Sequence, residues 1–312
     1  AEERARFRRD LHDGTIQSIY AAGLHLESIA IRSDDPSIRA EVREVVADLN
    51  AATGRRLPER MAAAVRASIQ RQSEALDERL FSALRRRLGD RELIIIPTKS
   101  LYDMPWGLLP SLRGRPVTVS PSAAVWLMAH NHQPEATGNP LLASGPDLSL
   151  AEAELDTISE HYYGPVVLRD SEATPEKILA KLDGAPIAHL AAHGLHEPDN
   201  FLFSRLDFAD GPLMAYDIAR LKTPPAHVTL SACDVGQSRV SVGDETLGFT
   251  AALLYAGTRT VVSSVAKVEH EVAAAIMTAY HANLVADLAP AHALAQAAEG
   301  YDLNPFVCYG AS

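Results

Sequence analysis

Two short stretches of this chain each end in a side chain suited to thiol chemistry. Ala188-His189-Leu190-Ala191-Ala192-His193-Gly194 is an apolar run ending in His–Gly, and Thr229-Leu230-Ser231-Ala232-Cys233-Asp234-Val235-Gly236 is an apolar run ending in cysteine. The thiolate is the nucleophile, and a neighbouring imidazole takes its proton and later protonates the leaving amine. His193 is therefore the expected base and Cys233 the expected nucleophile. Gly194 lets a backbone N–H approach a substrate carbonyl, and with the N–H of Cys233 it makes a candidate oxyanion hole. His189 lies within its run, on the face of His193 but deeper, and reads as structural. His196 is an alternative base.

The elements around these runs must bring them together. After Gly89 short β-rich stretches recur at 92–97, 116–119, 140–143, 166–168, 187–192, 228–231, 260–265 and 306–309. Helix-like segments lie between several of them, at 150–163, 175–182, 246–256 and 269–284. Strands alternating with helices predict an α/β domain with a largely parallel sheet flanked by helices. Runs 188–192 and 228–231 are apolar without alternation, as central strands covered on both faces are. Functional crevices of such sheets lie beyond the carboxyl ends of the strands. If the two runs are parallel neighbours, His193 and Cys233 emerge side by side.

Residues 1 to about 75 read as helix. Leu11, Thr15, Ser18, Ala22, Leu26 and Ile29 form one stripe, and Ile38, Val42, Val45, Leu49 and Ala52 a second, separated by Asp34-Asp35-Pro36. The two make a helical hairpin that must bury its stripes against another hairpin or the rest of the chain. A further helix is expected over 73–88, ending at Gly89.

The 312 residues carry a net charge of −11, which argues against nucleic acid as the main partner. The arginines at 55, 56, 60, 66 and 71 alternate with apolar residues at helical spacing and read as a solvated helix face. Two cysteines, Cys233 and Cys308, make no disulfide framework. No run approaches bilayer length and no leader is evident, so the expected setting is a reducing cytoplasm. No cofactor is implied, and the histidines lack metal-ligand spacing.

The stretches "HLAAHG", "DNFLFSRLDFADGPLMAYDIARL", "LSACDVG", "GDETLGFTAALLYAGTRTVVSSV" and "PFVCYG" occur in that order. Over residues 73 to 312 they resemble the CHAT peptidase family, relatives of caspases and separases. The resemblance implies a caspase-like fold, a His193–Cys233 dyad and a protein or peptide substrate. Several relatives cleave after a basic residue held by an acidic pocket. Acidic candidates here include Asp234, Asp244 and Glu269, Glu269 foremost, although each also suits a helix cap. Where relatives commonly carry Leu-Trp and then Asp, this chain reads Val265-Ala266-Lys267-Val268-Glu269-His270.

Residues 4–29 resemble the dimerisation and phosphoacceptor helix of histidine kinases with an "HDxxxQ" motif, here His12, Asp13 and Gln17. Asp13 and Gln17 are one turn apart, on a common face. The resemblance implies His12 as phosphoacceptor, a homodimer through the N-terminal helices, and a kinase or response regulator as partner. Nothing after it resembles an ATP-binding kinase domain. The expected organisation is a helical hairpin over 1–56 and a peptidase domain over 57–312. Two functions remain open: a cysteine endopeptidase regulated through its N-terminus, or a silent signalling scaffold docking through the hairpin.

Overall fold

The computed structural model describes residues 38, 40–41, 44–45, 59–98, 101–102, 104–132, 136–148, 151–195, 201–231, 247–266, 268 and 270–312. Eight strands form one sheet in the order β1-β2-β11-β10-β9-β5-β3-β4. These are β1 (Leu93–Ile95), β2 (Val117–Val119), β3 (Leu141–Ser144), β4 (Val166–Leu168), β5 (Ile187–Ala191), β9 (His227–Leu230), β10 (Thr260–Ser264) and β11 (Phe306–Gly310). Every neighbouring pair is parallel except β10 with β11, which run antiparallel from Thr260↔Gly310 to Ser264↔Phe306. All eight coincide with the β-rich stretches expected from the sequence, to within two residues at each end.

Successive residues along the strands feed opposite faces, as a pleated strand requires. Val261, Val307 and Tyr309 enter one core; Val262, Phe306 and Cys308 enter the other. The first core is covered by α1 (Glu59–Phe81), α5 (Pro175–Leu182) and α6 (Leu247–Ala256). The second is covered by α4 (Ala151–Ser159), α7 (His270–Val285) and α8 (Pro290–Ala297). The architecture is thus a three-layer α/β/α sandwich. Helix α5 shows why the chain turns helical where it does: Thr174 accepts from Lys177 N, and Pro175 occupies the first turn, where its missing N–H costs nothing.

Three features depart from the sequence reading. The helix expected over 73–88 instead begins at Glu59, ends at Phe81, and is followed by a separate short turn α2 (Arg85–Leu88). The break lies beside Asp77, whose buried carboxylate accepts from Ser111 N at 2.9 Å, Ser111 Oγ at 2.8 Å and Arg85 at 2.9 Å. Those bonds fasten α1 to the 110–112 turn. Helices α3 (Ala123–Asn131) and α8 were not anticipated. A second sheet, β6 (His193–Leu195), β7 (Arg205–Phe208) and β8 (Gly211–Met214), is a three-stranded antiparallel ribbon. Of the second N-terminal stripe, Ile38 and Val45 are described, and both are buried in the first core.

Candidate active site

Strands β5 and β9 are parallel neighbours, in register from Ile187↔His227 to Leu190↔Leu230. Ser231 N extends the ladder by donating to Leu190 O at 2.9 Å. All five residues of β5 and all four of β9 are buried. Both chains therefore leave the sheet at one rim and at the same height, β5 two residues before His193 and β9 three before Cys233.

His193 does not simply prolong β5. The chain breaks at Ala192, and His193 opens β6, where it pairs with Asp207 of β7 while Gly194 pairs with Leu206. The shared face expected for His189 and His193 presumed an unbroken strand, and so does not carry over. The ribbon is held close to the main sheet at the end of β3. Gly145 N donates to Ala191 O at 2.7 Å, and a Cβ on Gly145 would lie 2.4 Å from Asp207 O and 3.2 Å from Ala192 Cβ. Only glycine fits there. Both His193 and Gly194 are half-buried. Cys233, Asp234, Asp244, Glu269 and His196 lie outside the described residues, as do His12, Asp13 and Gln17.

Beneath the rim runs a buried polar chain. His189 is fully enclosed, with Nδ1 3.1 Å from His281 Nε2 on α7; His281 Nδ1 in turn lies 2.7 Å from the Tyr162 hydroxyl. On its other side His189 Nε2 is 3.2 Å from Glu154 Oε1, a close contact off the hydrogen-bond line. Ser231 donates its hydroxyl to the same Oε1 at 3.0 Å. A second pair, Tyr280 Oη and His227 Nε2, stands at 3.0 Å. His189 is structural, as expected, but it belongs to a network.

Burial governs the ionisation of these groups. It lowers His227 to about 3, with the His189 ring adding to the effect. It holds His281 well below the ordinary imidazole range, with smaller contributions from His189, His227 and His161. Burial raises the Tyr162 and Tyr280 phenols. The other cysteine, Cys308, is enclosed in β11, and burial pushes its thiol up to about 12 against the lowering effect of a bond with Thr118. A thiol so placed is inert.

Sequence reasoning missed Glu154, although a signal existed. Ala151, Leu155 and Ile158 form the buried stripe of α4, and Glu154 falls on that stripe. A cleft of about 320 Å3 lined in part by Trp106, Arg113, Glu299, Asn304 and Phe306 was also unforeseen. Phe306 pairs with Ser264 at the end of β10, so the cleft borders the same rim two strands away from β9. Among the described residues no group of three or more His, Cys, Asp or Glu side chains is arranged to hold a metal ion. Nor is any described helix long and apolar enough to cross a membrane.

A family model for the CHAT domain matches residues 70–301, and one described as histidine kinase matches residues 3–57. No curated protein matches. Among solved structures the chain resembles the separase of the Saccharomyces cerevisiae separase–securin complex in two crystal structures. In one, at 15% identity and a TM-score of 0.53, the likeness covers 71% of this chain and 15% of the separase chain. In the other, at 14% identity and a TM-score of 0.52, it covers 71% and 16%. The Arg-specific cysteine proteinase gingipain R matches at 14% identity and a TM-score of 0.49, over 85% of this chain and 73% of that one. The chain thus spans about a seventh of the separases it resembles, and the likeness is one of fold.

Proposed function

The chain belongs to the CHAT-domain family, and from that premise we propose that it is a cysteine endopeptidase acting on a protein or peptide through Cys233 and His193. One observation carries the reading: β5 and β9 are parallel neighbours whose ends reach a common rim in register. The fold shared with separase supports it.

The chemistry follows from the residues at that rim. His193 takes the Cys233 proton, and the thiolate attacks the scissile carbonyl carbon. The oxyanion is received by the N–H groups of Gly194 and Cys233, where fixed dipoles act on developing charge. Collapse forms a thioester and breaks the C–N bond, and the imidazolium protonates the departing amine. Water, deprotonated by His193, then attacks the thioester, releasing the acid and restoring the thiol. Glu269, which precedes α7 in sequence, is the foremost candidate for a pocket recognising the residue before the cut, with Asp234 and Asp244, which follow the nucleophile in sequence, as the others.

Residues 3–57 match the histidine-kinase model, which supports regulation through this module, by self-association or by a two-component partner meeting His12, Asp13 and Gln17. The same match favours the alternative of a silent scaffold that docks through these helices. An electrophilic peptide probe separates the two. It should label Cys233 in the native protein, fail with Cys233→Ala and label His193→Ala far more slowly. Labelling at Cys308 alone would discard the peptidase and leave the scaffold. Sedimentation showing a monomer at high concentration would discard self-association.

A further inference from the structure

Buried polar groups from two separate segments converge on one oxygen atom of a third beneath the ends of β5 and β9. Glu154 Oε1 receives the Ser231 hydroxyl at 3.0 Å and stands 3.2 Å from His189 Nε2. Ser231 follows directly on β9, His189 belongs to β5, and Glu154 belongs to α4, which packs on that face of the sheet. All three are buried: Glu154 is 7% exposed, Ser231 4% and His189 0%. Among the described residues no lysine or arginine pairs with Glu154. A carboxylate in that setting is costly, and an apolar residue would complete the Ala151–Leu155–Ile158 stripe without the cost.

We infer that Glu154 is a positioning residue whose carboxylate ties the ends of β5 and β9 to each other and to α4, fixing how the chain enters His193 on one side and Cys233 on the other. The kinetic consequence rests on the peptidase reading given above; the clamp itself does not. One proton arrangement satisfies the bonds from Tyr162 through His281 to His189 Nδ1. Tyr162 donates to His281 Nδ1, His281 Nε2–H donates to His189 Nδ1, and His189 Nε2–H faces the carboxylate. Every proton is then directed toward Glu154, and His281 is neutral, in keeping with the burial that holds it well below its usual range. The Ser231 hydroxyl is bonded to an oxygen that His189 Nε2 faces at 3.2 Å, so the end of β9 cannot move away without stranding a buried donor. The ladder bond from Ser231 N to Leu190 O acts in the same sense.

The test uses the full chain and four variants: Glu154→Gln, Glu154→Ala, Ser231→Ala and the double Glu154→Ala/Ser231→Ala. With a peptide substrate, Glu154→Ala should lower kcat about tenfold with KM little changed, as expected when an interaction acts on the transition state alone. Glu154→Gln should recover most of that loss, because its amide oxygen still accepts from Ser231. Ser231→Ala should resemble Glu154→Ala, and the double variant should be no worse than either, because the two residues form one device. A second readout needs no turnover: the pH dependence of Cys233 alkylation by iodoacetamide. Glu154→Ala should move the apparent thiol pKa toward that of a free cysteine, and Glu154→Gln should not. A Glu154→Ala protein that melts, turns over and alkylates like the wild type overturns the inference, as do losses that multiply in the double variant. If Glu154→Ala does not fold, Ser231→Ala decides: wild-type kcat and thiol pKa in that variant overturn the clamp. A wild-type protein that is silent toward peptides removes the peptidase reading instead, while the alkylation profiles still judge the clamp.

Discussion

Acid should unfold this protein through two buried histidines. His227 on β9 and His281 on α7 are both held neutral in the fold, His227 titrating only at about 3 and His281 well below its ordinary range. In the unfolded chain each titrates near 6.5. Above that pH neither state is charged, and the two residues make stability independent of pH. Below it the unfolded chain takes up protons that the fold refuses, so stability falls as pH falls, by about 1.4 kcal/mol per unit for each histidine. Between pH 8 and pH 5 the pair together removes about 4 kcal/mol, a large share of the roughly 5–15 kcal/mol that holds a typical domain. The window lies above the range where ordinary carboxylates titrate, so the histidines dominate it. Urea unfolding at pH 8, 7, 6 and 5 reads the effect as a falling midpoint with an unchanged slope of free energy against urea. His227→Gln should halve the pH dependence, because Gln does not titrate. A midpoint that stays level from pH 8 to 5, or a His227→Gln variant as acid-sensitive as the wild type, would refute the reasoning.

Two further perturbations follow from geometry. Asp77→Ala leaves Ser111 N and Oγ without their buried acceptor and should cost about 2–4 kcal/mol in urea unfolding; Asp77→Asn, which keeps one acceptor oxygen, should cost less. Gly145→Ala drives a methyl to 2.4 Å from Asp207 O, which must shift the ribbon carrying His193. It should cost about 1–3 kcal/mol, and at temperatures where the variant remains folded its probe labelling should still be slower than wild type. A variant that labels and melts normally would show that the ribbon does not need this approach.

The main sheet was readable in the sequence because its strands are short apolar runs bounded by turns, and burial on both faces leaves no competing pattern. Val166–Leu168 and Pro175–Leu182 were placed to the residue. The ribbon was not, for a physical reason. Its strands are three or four residues long and mostly half-buried, with Gly211 and Pro212 inside the last of them, and the alternation of Arg205–Phe208 is too short to mark a strand. Helix α3 escaped because its apolar stretch presents no contrast between faces, and α8 because its buried stripe, Ala291, Ala293, Leu294 and Ala297, is mostly alanine and marks a face only weakly. The adjacency of β5 and β9 was conditional on topology, which no local pattern encodes. His189 was seen as structural, but its partners Glu154, His281 and Tyr162 come from segments separated from it by up to 92 residues. Such a network is invisible until the chain is folded. The acid on the α4 stripe was the one trace it left.

The break at Ala192 gives the two halves of the proposed dyad different mountings. Cys233 follows a strand wedged between neighbours in the middle of the large sheet, while His193 rides on a three-stranded ribbon seated by its own short ladder, by Leu206, Phe208 and Leu213 in the first core, and by the tight crossing at Gly145. The imidazole is therefore placed by how the ribbon seats on the first core through Leu206, Phe208 and Leu213, whereas the chain leading to the nucleophile is placed by the register of the large sheet.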